Sequence, residues 1–305
     1  MIAPLKNLRR RGSLLLIALW AIMVLTGTVL LWAAYIRHTT SVSNEAYQDT
    51  EARAMAHSGL AIAMHPLTSR ETPALAMEEE NDPGFRVRMI SEGGKLNLNF
   101  LFNSGNPEER KLDIFRRWLE NRGIDSRARD RMVDCILDWL DADNVKRTNG
   151  QEDAPNYHPP NRGQFLSVEE LAEVAGTEPL TSQPGWKDDL TVDSAGQIDV
   201  TSADAHILRL LPGVGDLGID RFLQWRRGAD GIDGTADDPV IKNLEMVQNF
   251  LGLNKTQWNA LGGLISPRDN TWQIISEGWS GKVVRQVTVV VVKGSQNPQI
   301  RRWKE

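Results

Sequence analysis

The chain has few of the residues around which covalent or catalytic chemistry is usually built. It contains one cysteine, Cys135, so an intrachain disulfide is excluded. Cys135 falls on the apolar face of a helical pattern and is predicted to be a small core residue. The five histidines lack the H-x-x-x-H spacing of metalloprotease helices, and residues 278–281 lack the spacing of a nucleophile elbow. The sequence gives no support to an enzyme, a metal-dependent hydrolase included.

Basic residues are also in the minority, with 35 lysines and arginines against 40 acidic residues and a net charge of −5. An acidic surface argues against nucleic acid as the main partner. The composition, 41% hydrophobic and 25% charged, is that of an ordinary water-soluble protein apart from one apolar segment. The length fits one large domain or two small ones.

The apolar segment begins after a basic leader, residues 1–12, that ends at Gly12. From Ser13 to Ile36 there is no charged side chain. A helix of that length spans roughly 36 Å, enough to cross a hydrocarbon core of about 30 Å. The run is too long for a cleaved secretory signal, which leaves a plain signal anchor or a prepilin-type leader cut between Gly12 and Ser13. In either case the leader stays in the cytoplasm and the remaining residues lie outside it.

Beyond the membrane segment the helical pattern continues, so one long helix is predicted over 13–65, ending before Pro66. Alternating residues then predict a strand at 85–89 and a return strand at 96–99 after a turn at 92–94. A second hairpin is predicted from 272–276 and the valine-rich run 283–292.

The fold class predicted is α+β: a pilin-like long helix on a small antiparallel sheet, with a large helical domain inserted between strands. The sheet region comprises 66–100 and 271–305, and the inserted domain 101–270. The insert contains an internal repeat of two helix-hairpin-helix-like or SAM-like copies, 95–176 and 197–252.

The turn Leu211-Pro212-Gly213-Val214-Gly215 resembles the hairpin of helix-hairpin-helix modules, which can present backbone N–H groups to DNA phosphates. The interpretation we favour is a tight turn between two packed helices, given the acidic surface. The alternative function is a membrane-anchored DNA-binding protein.

Two acidic loops within the insert are the candidate metal sites. Alternating carboxylates separated by glycine and asparagine let one loop direct several oxygens at one hard cation, and the loose geometry suits calcium better than magnesium. The alternative is a pair of solvated acidic loops that cap helices. The role predicted for calcium is structural. The candidate ligands are Asp138, Asp141, Asp143, Glu152 and Asp153 in the first loop, and Asp230, Asp233, Asp237 and Asp238 in the second.

The leader, the long helix and three further motifs together resemble the K component of the type II secretion system, a large minor pseudopilin. The motifs are Gly93-Gly94-Lys95-Leu96-Asn97-Leu98-Asn99, Asp138-Trp139-Leu140-Asp141-Ala142-Asp143 and Phe165-Leu166-Ser167-Val168-Glu169-Glu170-Leu171. The resemblance implies two calcium ions in the insert, a place at the tip of the periplasmic pseudopilus and an inner-membrane anchor. It also implies the I and J minor pseudopilins as partners, and a prepilin peptidase that removes residues 1–12 and methylates Ser13.

One position departs from the wider pilin class. Most pilins carry a glutamate four residues beyond the new N-terminus, but this chain has Ile17 there. A carboxylate in a membrane helix is costly unless it is paired, and its expected partner is the terminal amine of an adjacent subunit. A subunit that docks beneath no other can lack this charge, which favours the tip position.

Overall fold

The computed structural model describes residues 8–77, 83–103, 107–235, 237–241, 243–294 and 297–305. The helices are α1 (Leu8–Met64), α2 (Leu98–Phe102), α3 (Glu109–Asn121), α4 (Ser126–Leu140), α5 (Glu178–Thr181), α6 (Ala205–Leu208), α7 (Asp216–Arg226), α8 (Leu244–Leu251) and α9 (Lys255–Leu261). Short 3-10 helices lie at Pro73–Leu75 and Val168–Glu173. The strands are β1 (Ala76–Met77), β2 (Gly84–Ser91), β3 (Leu96–Asn97), β4 (Leu190–Thr191), β5 (Ile198–Asp199), β6 (Ile265–Ser266), β7 (Thr271–Ser280), β8 (Val283–Val292) and β9 (Gln299–Lys304).

The predicted long helix is confirmed, although it begins earlier than expected. Helix α1 starts at Leu8, so Gly12 and Ser13 lie within it, and residues 1–7 of the leader lie outside the described residues. Its segment Leu14–Met64 is long and apolar enough to span a membrane. The most apolar stretch of this segment is not buried against the rest of the protein.

In the described part of the chain, five strands form one antiparallel sheet in the order β1-β2-β7-β8-β9. The predicted hairpin near the C-terminus is confirmed as β7 and β8, although β7 runs on to Ser280 and the turn is shorter than expected. Strands β2 and β7 are direct neighbours, paired from Gly84↔Trp279 to Ser91↔Trp272. Residues 92–270 therefore form an insertion between two adjacent strands.

The predicted return strand at 96–99 is wrong. Leu96 and Asn97 form β3, which pairs in parallel with β4, and the chain then turns into α2. The physical reason is a helix cap: the side chain of Asn97 accepts a hydrogen bond from the Phe100 backbone N–H at 3.0 Å. Leu96 and Leu98 are both buried in the helical core instead of alternating across a sheet.

Small residues let α1 lie close against the sheet. Ala52, Ala56 and Ala63 are fully buried in this contact. A Cβ atom added at Gly278 of β7 would stand 2.2 Å from the Ala56 backbone nitrogen and 2.3 Å from the Ala52 carbonyl oxygen. Because these obstacles are backbone atoms, a larger residue cannot be accommodated by side-chain rotation alone.

Both ends of the α1–sheet contact are fixed by polar groups. At the hairpin end, Ser280 donates to Glu51 Oε2 at 2.7 Å, and Arg285 forms an ion pair with Asp49. At the other end, Lys293 Nζ donates to the carbonyl oxygens of Ala63, at 2.9 Å, and Thr68. A cation on the last carbonyls of a helix satisfies orphan acceptors and complements the helix dipole.

The insert has its own apolar core, which extends from Leu96 to Ile265. Two short parallel strand pairs occur along the insert. Strand β3 pairs in parallel with β4, and β5 pairs in parallel with β6, each over two residues. Each predicted copy thus opens with a short strand that pairs with one further along the insert. Whether the copies are of the helix-hairpin-helix type stays a prediction.

Asp189 joins the two halves of the insert. Its Oδ2 accepts from Trp118 Nε1 and Arg122 Nη2, both at 2.9 Å, and its Oδ1 lies 2.8 Å from His206 Nε2. Although burial opposes it, the hydrogen bonds from His206, Trp118 and Arg122 lower the pKa of Asp189. The hydrogen bond between Asp189 and His206 also raises the pKa of His206 above its ordinary 6.5. This network holds α3 of the first half to α6 of the second.

Gly278→Ala is expected to destabilise the protein by about 1–3 kcal/mol, because the added methyl group meets the α1 backbone. Gly215→Ala is the matched control, since a Cβ atom there meets nothing within 4 Å and its φ is −92°. The measurement is urea unfolding of the full chain in detergent. Equal stability of the two variants would contradict the close approach of helix and sheet.

Stability should also depend on the charge of His206. Its stabilising contribution is complete below pH 6.5 and is lost as the pH rises through the raised folded-state pKa. Thermal unfolding between pH 6 and 9 should therefore show a fall in Tm that His206→Gln removes. Asp189→Asn should remove the same fall, and an unchanged slope in both variants would refute the pairing.

Candidate metal centre

The first acidic loop begins on the last turn of α4. The N-cap Asp125 accepts from the Ala128 backbone N–H and starts this helix, whose apolar face is buried. Asp138 lies on the last turn and Asp141 is the C-cap, three residues later, so both lie on the same side of the helix end. The chain then loops out and returns at Glu152.

The fold brings three of the predicted ligands together and buries them. Asp138 is 0% exposed, Asp141 8% and Glu152 7%. One carboxylate oxygen from each lies within 4.8 Å of the others, and they are the one such acidic group in the described part of the chain. Oxygens about 2.4 Å from a shared cation can be no further apart than this, so the spacing fits calcium.

Hydrogen bonding satisfies part of the cluster. Both oxygens of Asp138 accept from the backbone N–H of Arg147, at 3.3 and 3.4 Å, and Arg147 Nη1 donates to Asp138 Oδ1 at 2.7 Å. The same Nη1 donates to Asp141 Oδ2. Arg147 lies in the loop between Asp141 and Glu152, and the prediction of ligands from carboxylates alone missed it.

The rest of the cluster has no partner. Asp141 Oδ1 and both oxygens of Glu152 are buried and receive no hydrogen bond. Burial, followed by the charges of Asp138, Asp141 and Asp143, raises the pKa of Glu152. Buried carboxylates that are neither paired nor hydrogen-bonded are costly, and a hard divalent cation would relieve that cost. The donor set therefore fits calcium on the structure's own geometry.

Gly150 is required where it stands. A Cβ atom there would lie 1.9 Å from Asp138 Oδ2. The loop therefore closes over Asp138 only because this residue lacks a side chain.

The other two predicted ligands of the first loop lie away from the cluster. Asp143 is exposed and accepts from the Val145 backbone N–H at 2.8 Å. Asp153 is exposed and lies 2.6 Å from His158 Nδ1. The structure does not bring them into the buried group.

The second acidic loop is arranged differently. Asp233 forms ion pairs with Arg226, at 2.8 Å, and Arg227, at 3.2 Å. Arg226 is 5% exposed and also donates to the carbonyl oxygens of Val200 and Ala203. These arginines precede the acidic run, so a search for bases within the run alone does not find them.

The remaining carboxylates of the second loop bond mainly to the loop itself. Asp237 accepts from the Thr235 hydroxyl and from the backbone of Ala229 and Asp230, which lowers its pKa to about 2. Asp230 accepts from Ile232 N–H, and Asp238 accepts from the backbone while its Oδ1 is buried without a partner. This loop does not assemble a buried carboxylate group like that of the first.

The Leu211–Gly215 turn is buried at its first residue and exposed at its two glycines, Gly213 and Gly215. Leu211 is buried, Gly213 has a φ of +76°, and its carbonyl oxygen accepts from Gln257 of α9 at 3.3 Å. Arg209 forms ion pairs with Asp216 and with Asp220. The turn thus joins two packed helices, as favoured from the sequence.

Two potentially reactive side chains, Cys135 and Ser280, have structural roles in the fold. Cys135 is buried, as predicted, and burial raises the pKa of its thiol to about 11. Ser280 lies at the end of strand β7 and donates to Glu51.

A long helix laid on an antiparallel sheet, with a helical insert between adjacent strands, is the arrangement that the resemblance to a pseudopilin implied. The resemblance to the K component of the type II secretion system is confirmed over part of the chain. Residues 94–183 match the family described as Type II secretion system (T2SS), protein K.

Two known proteins are similar to this chain, one in part of its sequence and one in its fold. Type II secretion system protein K of Pseudomonas aeruginosa is 36% identical over 93 residues, and the match spans 28% of this chain and 28% of that protein's length. A chain in the crystal structure of the GspK-GspI-GspJ complex from enterotoxigenic Escherichia coli is similar in fold, with a TM-score of 0.62. That match covers 87% of this chain and 98% of that chain at 15% identity. The DNA-binding alternative gains no support from these relatives.

Glu152→Gln is expected to stabilise the protein in excess chelator, by about 1–3 kcal/mol, because it replaces a buried carboxylate that has no partner by a neutral amide of the same shape. Thermal and urea unfolding of the full chain in detergent would measure this. Asp153→Asn, an exposed neighbour, is the control and should change stability by less than about 0.5 kcal/mol. Destabilisation by Glu152→Gln in chelator would contradict the absence of a partner.

Proposed function

We propose that this protein is a non-enzymatic minor pseudopilin that serves at the tip of the type II secretion pseudopilus, where it helps to initiate assembly and export of folded proteins. The observation that carries the proposal is the combination of a pilin-like body with an insert whose first half matches the protein K family. The I and J minor pseudopilins are the partners proposed, because the structural relative is a chain of a GspK-GspI-GspJ complex.

The N-terminal helix supplies the anchor in this proposal. Residues 14–40 of α1 are almost entirely exposed, and their apolar side chains need a lipid or protein environment. The basic leader keeps the N-terminus in the cytoplasm, which places the bulk of the chain in the periplasm of a single-pass inner-membrane protein. Prepilin peptidase would cut between Gly12 and Ser13 and methylate Ser13.

The position of the insert supports the tip location. The turn between β7 and β8 lies beside residues 48–51 of α1, on the membrane side of the body. The insert leaves the sheet at the opposite end, where Glu92 N–H donates to Thr271 O at 2.9 Å. A subunit stacked above would meet this bulk. The division into a 13–65 helix, a sheet region of 66–100 with 271–305, and an insert of 101–270 stays a prediction.

Ile17, in the apolar part of α1, also supports a position at the tip of the pseudopilus. It is 64% exposed on α1 and carries no charge for a neighbouring terminal amine. The chain therefore lacks the group with which most pilins are expected to dock beneath another subunit.

Calcium is proposed as a structural ion held by Asp138, Asp141 and Glu152. It would supply the positive charge that the buried carboxylates lack and so fix the 141–152 loop to the end of α4. Asp143 and Asp153, which lie outside the buried group, remain candidate calcium ligands from the sequence. A second ion among Asp230, Asp233, Asp237 and Asp238 stays a prediction from the sequence.

The test is co-expression of the full chain with a prepilin peptidase and with the I and J pseudopilins of the same system. Intact mass should show loss of residues 1–12, with or without one added methyl group, and the three pseudopilins should purify together. Gly12→Asp is the control that should block cleavage. An uncut wild-type chain that purifies without I and J would overturn the proposal.

A further inference from the structure

Arg147 lies inside the carboxylate cluster and is held there twice. Its backbone N–H donates to Asp138, and its side-chain Nη1 bridges Asp138 Oδ1 and Asp141 Oδ2. The backbone contact fixes the loop to α4 whether or not the guanidinium stays. The side chain itself is 28% exposed, so it has a route to solvent.

The charges in the cluster do not balance. Three carboxylates converge, one guanidinium contacts two of them, and Glu152 receives no hydrogen bond at either oxygen. Arg147 therefore compensates the cluster only in part. A divalent ion would bring more charge and could reach all three carboxylates at once.

The guanidinium and a divalent ion compete for the same oxygens. Arg147 Nη1 is 2.7 Å from Asp138 Oδ1, and calcium takes oxygen ligands at about 2.3–2.6 Å. A cation that bound the three facing oxygens would then lie in contact with a positively charged nitrogen. Like charges at that distance repel strongly in a buried site.

We propose that Arg147 is an internal counter-ion that occupies the cluster in the metal-free protein and leaves Asp138 and Asp141 when a divalent cation binds. This inference rests on the proposed calcium site. Arg147 thereby stabilises the metal-free loop, weakens calcium binding and sets the concentration at which the site fills. The position of its side chain, bridging the carboxylates or turned to solvent, reports the occupancy of the site.

The test is calcium titration of the full chain in detergent by isothermal calorimetry, after removal of divalent ions. Arg147→Gln should tighten calcium binding by about tenfold, since loss of a competing charge-assisted pair is worth about 1.4 kcal/mol or more. It should also lower Tm in chelator and so widen the gap between Tm with calcium and Tm in chelator. Lys146→Gln is the matched control, because it removes the same charge from an exposed neighbour.

A second variant covers the case in which Arg147→Gln does not fold without metal. Arg147→Lys keeps the charge but loses the planar fork, so it should bind calcium more tightly than wild type by a smaller factor. Unchanged or weaker calcium affinity in both variants would overturn the role of Arg147 while leaving the site itself intact. Wild type that binds no more calcium than Glu152→Gln would instead overturn the calcium site, and this inference with it.

Discussion

The close contact of α1 with the sheet is the constraint on which the rest of the structure depends. Ala52, Ala56 and Ala63 bring the helix backbone down to the strands, and Gly278 leaves room for it. The apolar face of the sheet has to be covered, and α1 supplies the other side of this core. The polar contacts at Glu51 and Lys293 then fix the register of helix on sheet at both ends.

The insert is tied to this body by several buried contacts at one end of the sheet. The Asp269 carboxylate accepts from the Ala195 and Thr271 backbone N–H groups, and Asp199 N–H donates to Gly93 O at 2.8 Å. On the sheet edge, Arg302 of β9 contacts Asp193 at 2.6 Å. These polar contacts hold the insert to the body. The insert also has an apolar core of its own.

Within the insert, charge is handled in two ways. In the second acidic loop, Arg226, Arg227 and the loop's own backbone contact most of the carboxylate oxygens, although Asp238 Oδ1 has no partner. The first leaves Glu152 without a partner in a group that Arg147 compensates in part. The two loops are similar in composition but differ in how much negative charge remains uncompensated. Burial and the position of nearby arginines decide that amount.

Local periodicity and motifs were enough to predict the long helix, the strand at 85–89, the C-terminal hairpin and the resemblance to protein K of type II secretion. The sequence also placed Asp138, Asp141 and Glu152 among the candidate ligands. Only the tertiary structure showed that Leu96 and Asn97 pair with β4 and not with the large sheet, because that partner lies far along the chain. Only it separated the buried three from Asp143 and Asp153 and brought Arg147 among them. Composition counts carboxylates along the chain, whereas the energy of a charge depends on what the fold places within a few ångströms of it.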